Sequence, residues 1–148
     1  MSQASLGLKE SLREALDIND APTLIRFPKG ALPLDLGTIE RIDGIDILYR
    51  SESDDVLLVS VGAFAHLSLE VAAQVQREGV GTTVIDPRWV KPLPLSLLDM
   101  AQKYSRIVVI EDGIRHGGIA SSLSEMFRDA QSAIPIHSVG VPLEFIEH

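Results

Sequence analysis

Hydrophobic positions divide the chain near residue 47: before it no apolar period is sustained, and after it short apolar runs alternate with stretches of helical spacing. Leu8, Leu12 and Leu16 stand four apart and predict a short helix over residues 7–17, stopped by Asn19-Asp20-Ala21-Pro22. Residues 23–27 form a β-prone run cut off by Pro28-Lys29-Gly30, and from there to Asp46 the chain is rich in Pro, Gly and Asp and reads as a linker. One helix and one strand cannot bury each other, so the first thirty residues read as the end of a neighbouring domain.

Beyond that point the pattern is regular. Ile47-Leu48-Tyr49 predicts a weak strand, and residues 56–61 are a near-continuous apolar run suited to a strand covered on both faces. Gly62 breaks the run. Residues 66–78 predict a helix with Leu67, Val71 and Val75 on one face and Gly79 just past its end. A strand over 82–85, a helix over 95–104 (Leu97, Ala101, Tyr104), a strand over 107–110, a helix marked by Ile119, Leu123, Phe127 and Ala130, and a strand over 136–139 follow. Strands alternating with helices of this length give right-handed βαβ units. The expected fold is a three-layer α/β/α domain with a mostly parallel sheet of about five strands, the weak first strand being the candidate for an antiparallel edge.

Composition narrows the function classes. A chain of 148 residues, 45% hydrophobic, with mean hydropathy +0.18, can bury one core and is too apolar for intrinsic disorder. It has no cysteine, which excludes disulfides and thiolate metal sites. The longest apolar runs fall far short of the ~20 residues that cross a bilayer, and no basic-then-apolar leader opens the chain, so a soluble cytoplasmic protein without a membrane partner is expected. With 13 basic and 21 acidic residues the formal charge is −8, no basic stripe exists and aromatics are 5%, which sets aside a nucleic-acid partner. Residues 31–60 hold two basic and seven acidic residues and read as a solvated connection.

Candidate chemistry is sought at the carboxyl ends of the parallel strands, where ligands of such sheets bind. His66 stands at a helix start and suits either a general base or anion contact or, the favoured reading, a polar residue in a first helical turn. Asp86-Pro87-Arg88-Trp89-Val90-Lys91-Pro92 combines an acid, a base, the single Trp and two prolines. Ligand binding is one use of such a loop; a domain or subunit interface through Asp86, Arg88 and Trp89 is favoured. Glu111 and Asp112, followed by Arg115 and His116, suit a metal or proton relay in residue type, but their spacing fits no metal motif. Gly117-Gly118 open the last helix with Ser121 and Ser122 nearby, and serve either an anion or a close helix-to-sheet approach. No GxGxxG fingerprint is present, and the residues alone give no catalytic set.

Four elements occur in order: Arg26-Phe27-Pro28-Lys29-Gly30; Asp86-Pro87-Arg88-Trp89-Val90-Lys91-Pro92-Leu93-Pro94; Glu111-Asp112-Gly113 with Gly117-Gly118; and Gly140-Val141-Pro142-Leu143-Glu144-Phe145-Ile146-Glu147-His148. Together, from about Leu12 to the end, they resemble the C-terminal part of the 1-deoxy-D-xylulose-5-phosphate synthase family in its actinobacterial form. The Asp-x-Arg and Glu-Asp elements are shared across transketolase-like C-terminal domains, whereas the first and last elements point to the synthase. The resemblance implies a transferase, dependent on thiamine diphosphate and Mg²⁺, that condenses pyruvate with glyceraldehyde 3-phosphate, releases CO₂ and feeds isoprenoid and thiamine synthesis. It also implies a homodimer. On this resemblance residues 1–30 are the tail of the pyrimidine-binding domain, 31–46 a linker and 47–148 the transketolase C-terminal domain, with the remaining domains of the same chain as partners.

The family's Gly-Asp-Gly…Asn diphosphate motif, the segment with its cofactor-activating glutamate and its last few dozen residues are not among these 148. The resemblance therefore implies a fragment with structural and interface roles that binds neither thiamine diphosphate nor Mg²⁺ and is inactive alone; no catalytic residue and no metal ligand are assigned. One family contact maps here: Lys29 stands where the family places a cation for substrate phosphate. Many relatives have Arg there, and Lys offers a point charge without the bidentate fork. Two other readings stay open: the C-terminal domain of a transketolase or 2-oxoacid dehydrogenase β-subunit, and a stand-alone α/β interaction module.

Overall fold

A computed structural model describes residues 4–27 and 36–145, in two units, Met1–Gly37 and Thr38–His148. In the first unit the leucine stripe forms helix α1 (Ala4–Asp17). No residue from 7 to 27 is buried, and Leu12 and Leu16 are 51% and 70% exposed. Residues 23–27, expected as a strand, have no regular structure. A single strand gains its hydrogen bonds only from a neighbour, and among the described residues none pairs with it.

The second unit holds a six-stranded sheet in the order β1-β2-β4-β3-β5-β6. The strands are β1 (Glu40–Ile42), β2 (Ile45–Arg50), β3 (Val56–Val61), β4 (Thr82–Pro87), β5 (Arg106–Ile114) and β6 (Ile136–Val141). β4, β3, β5 and β6 are mutually parallel, and β2 runs antiparallel to both β1 and β4. Between strands lie a short 3₁₀ turn (Gly62–Phe64), α2 (Ala65–Arg77), α3 (Ser96–Ala101) and α4 (Ile119–Asp129). None of the described helices is long and apolar enough to cross a membrane.

Alternation along the strands sorts the core into two layers. Leu57, Val59, Ile85, Ile107 and Val109 meet Leu97 and Ala101 of α3 and Leu123 and Phe127 of α4 on one face. Leu58, Val84 and Ile110 meet Ala72 of α2 on the other. This is the expected three-layer α/β/α arrangement, because β3 and β5 are apolar at consecutive positions and bury both faces.

Several details depart from expectation. There are six strands rather than about five, and the weak first strand is not the outer edge: β1 lies outside it, inside the stretch read as a linker. The pair forms a hairpin whose Ile42 and Ile45 face each other across Asp43 and Gly44, both at positive φ (47° and 78°), as a two-residue turn matching strand twist requires. The acidic stretch is not merely solvated. Arg41 pairs with Asp46, Arg50 with Glu40 at 3.1 Å, and Lys103 with Asp54 at 3.0 Å. Helix α2 ends as expected at Gly79 (φ 83°), whose N–H donates to the Gln76 carbonyl at 3.0 Å while Val80 donates to Val75 at 3.1 Å. Its fully buried residues are Ser68 and Ala72; of the Leu67, Val71, Val75 stripe, Val71 packs half-buried against the core and Leu67 is exposed. Small residues there let the helix lie close to the sheet.

Candidate functional site

Two strands run further than their apolar residues suggest, and this sets the geometry of their carboxyl ends. Asp86 and Pro87 belong to β4, where Asp86 is directly opposite Asp46 of β2. Cross-strand carboxylates on one face repel. Burial and then the Asp46 charge push the Asp86 carboxyl up to about 7, against the opposing pull of a Gly62 backbone N–H and the Arg88 guanidinium. Gly62 follows the end of β3 at φ 65°, so the left-handed turn after one strand brings a donor to the acid at the end of the next. The Arg88 N–H donates to the Gly44 carbonyl at 3.1 Å, fastening the loop after β4 to the β1–β2 turn. Arg88 and Trp89 are half-buried.

The end of β5 is organised by Glu111, expected just past the strand but lying within it. Beyond a register shift the strand continues to Ile114, paired with Val141 of β6. Glu111 is 5% exposed, and its carboxylate accepts the Ile119 N–H at 2.9 Å and the Ala120 N–H at 3.2 Å. A negative charge is favourable where a helix presents unpaired N–H groups. Gly118 follows from this. A Cβ built on it would stand 2.6 Å from the Glu111 Cδ, so no larger residue fits while the carboxylate holds its place. Of the two uses open to Gly117-Gly118 in the sequence, Gly118 serves the close approach, and the helix start carries the chain's own anion.

The other candidates are dispersed. His66 Nδ1 lies 3.2 Å from Glu70 Oε1 one helical turn on, both exposed, as befits a polar residue in a first turn. Asp112 and His116 are exposed. No group of three His, Asp or Glu among the described residues is placed to hold a metal ion. Lys29 lies outside the described residues. Sequence reasoning passes over Asp46 and Gly62 as partners of Asp86; the Asp43-Gly44 dipeptide, a strong hairpin signal, would place Asp46 on a strand.

The transketolase C-terminal domain family matches residues 46–148, and the chain belongs to that family. Within it, the chain is 47% identical over 144 residues to the 1-deoxy-D-xylulose-5-phosphate synthase of Mycobacterium sp. (strain KMS), covering 95% of this chain and 23% of the relative. It is 43% identical over 145 residues to the synthase of Frankia casuarinae, covering 95% and 22%. The chain is thus homologous to the C-terminal region of this synthase and spans less than a quarter of its relatives' length. Among solved structures, a split-gene transketolase in an inactive β4 tetramer is similar, with a TM-score of 0.64 and 30% identity over 74% of this chain and 36% of that one.

Proposed function

We propose that the chain serves as the C-terminal part of a 1-deoxy-D-xylulose-5-phosphate synthase, in which it presents a domain or subunit interface and one substrate-phosphate cation while other domains carry the thiamine diphosphate chemistry. The observation that supports this is identity of 47% across 95% of the chain against 23% of the relative. The described residues do not fit the cofactor. They offer no cluster for Mg²⁺, and the helix start best suited to a diphosphate is occupied by Glu111. No step of the reaction is therefore assigned to them, and the chain alone is inactive on this reading.

Residues 1–30 act as the tail of a preceding domain, and the folded C-terminal domain follows a connection shorter than the 31–46 expected, since its sheet already includes β1 from Glu40. The exposed Leu12, Leu16, Leu24 and Phe27 support an origin against another domain. Asp86, Arg88 and Trp89 form the interface patch, stiffened by the Arg88–Gly44 hydrogen bond, and Lys29 binds the phosphate of glyceraldehyde 3-phosphate. The working enzyme is a cytoplasmic homodimer. The test is a chimaera in which this chain replaces the matching region of the mycobacterial relative. Turnover of pyruvate and glyceraldehyde 3-phosphate by the chimaera, with none by the chain alone, is expected. A folded chimaera without turnover, or turnover by the chain alone, overturns the proposal.

A further inference from the structure

Three charged side chains stand in a row across one face of the sheet. Arg41 of β1 is opposite Asp46 of β2, and Asp46 is opposite Asp86 of β4. Alternation sets the face: Ile42, Ile45, Ile47 and Ile85 belong to the layer of α3 and α4, so their neighbours Arg41, Asp46 and Asp86 point to the α2 side. Only one of the two carboxyls has a matched cation. Arg41 Nε donates to Asp46 Oδ1 and Arg41 Nη2 to Asp46 Oδ2 at 3.0 Å, a bidentate pairing that favours Asp46 as a carboxylate.

Asp86 therefore faces a charge of its own sign, across a pair of positions whose Cβ atoms lie about 5 Å apart. The Gly62 N–H and the Arg88 guanidinium offset only part of this, and burial first and Asp46 second hold the Asp86 proton up to about 7. The other charged groups around it are turned to partners of their own. On α2, His66 pairs with Glu70 at 3.2 Å, both exposed, and Arg77 donates to the Ala73 carbonyl at 3.3 Å; β3 brings the uncharged Ser60 alongside. The carboxyl pair also sits within a fastening. Arg88 N–H donates to the Gly44 carbonyl at 3.1 Å, joining the loop after β4 to the β1–β2 turn, and on the other side the β2–β4 ladder is interrupted by a register shift between Ile47 and Tyr49. Residues 44–47 with 85–88 are thus a short stretch of ladder, bounded by a turn and an irregularity, with two acids inside it.

We propose that Asp46 and Asp86 form a proton-operated latch: holding one proton between them they keep the β1–β2 turn on the loop after β4, and once that proton leaves, their repulsion opens this stretch and frees the segment bearing Arg88 and Trp89. Opening separates the two carboxyls and returns Asp86 to its ordinary value of 3.8, so one proton is released per opening wherever pH lies between that value and about 7. The opening equilibrium then rises with pH by up to about tenfold per unit and levels off above the higher value. The latch is closed in mild acid and loosest from neutrality upward, and it acts whichever enzyme the chain serves.

Amide exchange of the ¹⁵N-labelled 148-residue chain, expressed as protection factors so that the intrinsic pH dependence drops out, tests this between about pH 5 and about pH 8. The Arg88 amide is expected to lose protection by roughly tenfold or more relative to those of Val59 and Val109 in the central strands. Asp86→Asn and Asp46→Asn each remove one charge and keep the shape, and either should make this relative protection independent of pH. A loss shared equally by the central strands marks global unfolding and overturns the latch, while leaving the contribution of Asp86 to overall stability intact. A flat Arg88 profile, or a pH dependence that survives in either variant, overturns it too. Carboxyl ¹³C shifts of the unaltered chain give a check that needs no variant: Asp46 and Asp86 should both respond to one titration step near neutrality, and Asp86 titrating at its ordinary value sinks the latch.

Discussion

Gly118→Ala should be costly for a reason that can be isolated. The backbone at Gly118 is extended (φ −77°, ψ −167°), a conformation any L-residue takes. The penalty is therefore steric: the new Cβ meets the Glu111 carboxyl at 2.6 Å from Cδ. The carboxylate must leave, abandoning the N–H groups of Ile119 and Ala120 in a buried place. Hydrogen bonds to a charged group contribute roughly 1.5–3 kcal/mol each, and relaxation recovers part of that, so a loss of about 3 kcal/mol is expected. Glu111→Ala should cost about as much, since it strips the same two donors.

The double variant decides the matter, because without the Glu111 side chain a methyl group at position 118 has nothing to strike. Gly118→Ala should then cost less than about 0.5 kcal/mol, giving a coupling of roughly 2–3 kcal/mol, the upper range for residues in contact. Gly117→Ala is the internal control. Its φ of 75° strains any side chain and nothing lies within 4 Å of its Cβ position, so about 1 kcal/mol should be lost whichever residue stands at 111. Urea unfolding followed by fluorescence of Trp89, the single tryptophan, measures all of these. Additivity of Glu111→Ala and Gly118→Ala within about 0.5 kcal/mol would refute the reasoning.

Three further outcomes are expected. The native state keeps the Asp86 proton up to about pH 7, whereas the unfolded chain releases it at the ordinary 3.8. Its stabilising contribution is thus full below the lower value and lost as pH rises through the higher one, and wild type minus Asp86→Asn should fall by a few kcal/mol, ~4 at most, across that window; a flat difference in chemical denaturation would contradict this. Amide exchange should be fast at residues 7–27, where nothing is buried, and slow in β3 and β5; equal protection would contradict the division into units. In the chimaera, Lys29→Ala should raise KM for glyceraldehyde 3-phosphate tenfold to about a hundredfold with KM for pyruvate nearly unchanged; equal effects on both substrates would remove Lys29 from the phosphate site.

Apolar runs make the parallel core legible because β3 at Val56–Val59 and β5 at Ile107–Ile110 are apolar at consecutive positions, and Gly79 marks the α2 stop because only a left-handed residue ends the helix that way. Reading strands by apolarity alone fails where polar residues keep the ladder. It ends β4 at Ile85 and β5 at Ile110, yet Asp86 and Glu111 continue them. The phase of α2 misleads for a related reason. Large residues mark one face, while the positions fully buried against the sheet are the small Ser68 and Ala72, with Leu69 and Val71 packing beside them only partly buried. Strand β1 spans three residues, too short for any period, and only its turn dipeptide announces it.

The candidate site is legible in the sequence as a set of places rather than as partners. Sequence marks the ends of β3, β4 and β5, and each is where backbone N–H groups need acceptors. The acceptors come from neighbouring strands: Asp86 takes the Gly62 N–H, the Gly44 carbonyl takes that of Arg88, and Glu111 takes those of Ile119 and Ala120. No local spacing encodes such pairings, since they join residues through the sheet order. Their effect is to tie the carboxyl edge of the sheet together with the chain's own groups.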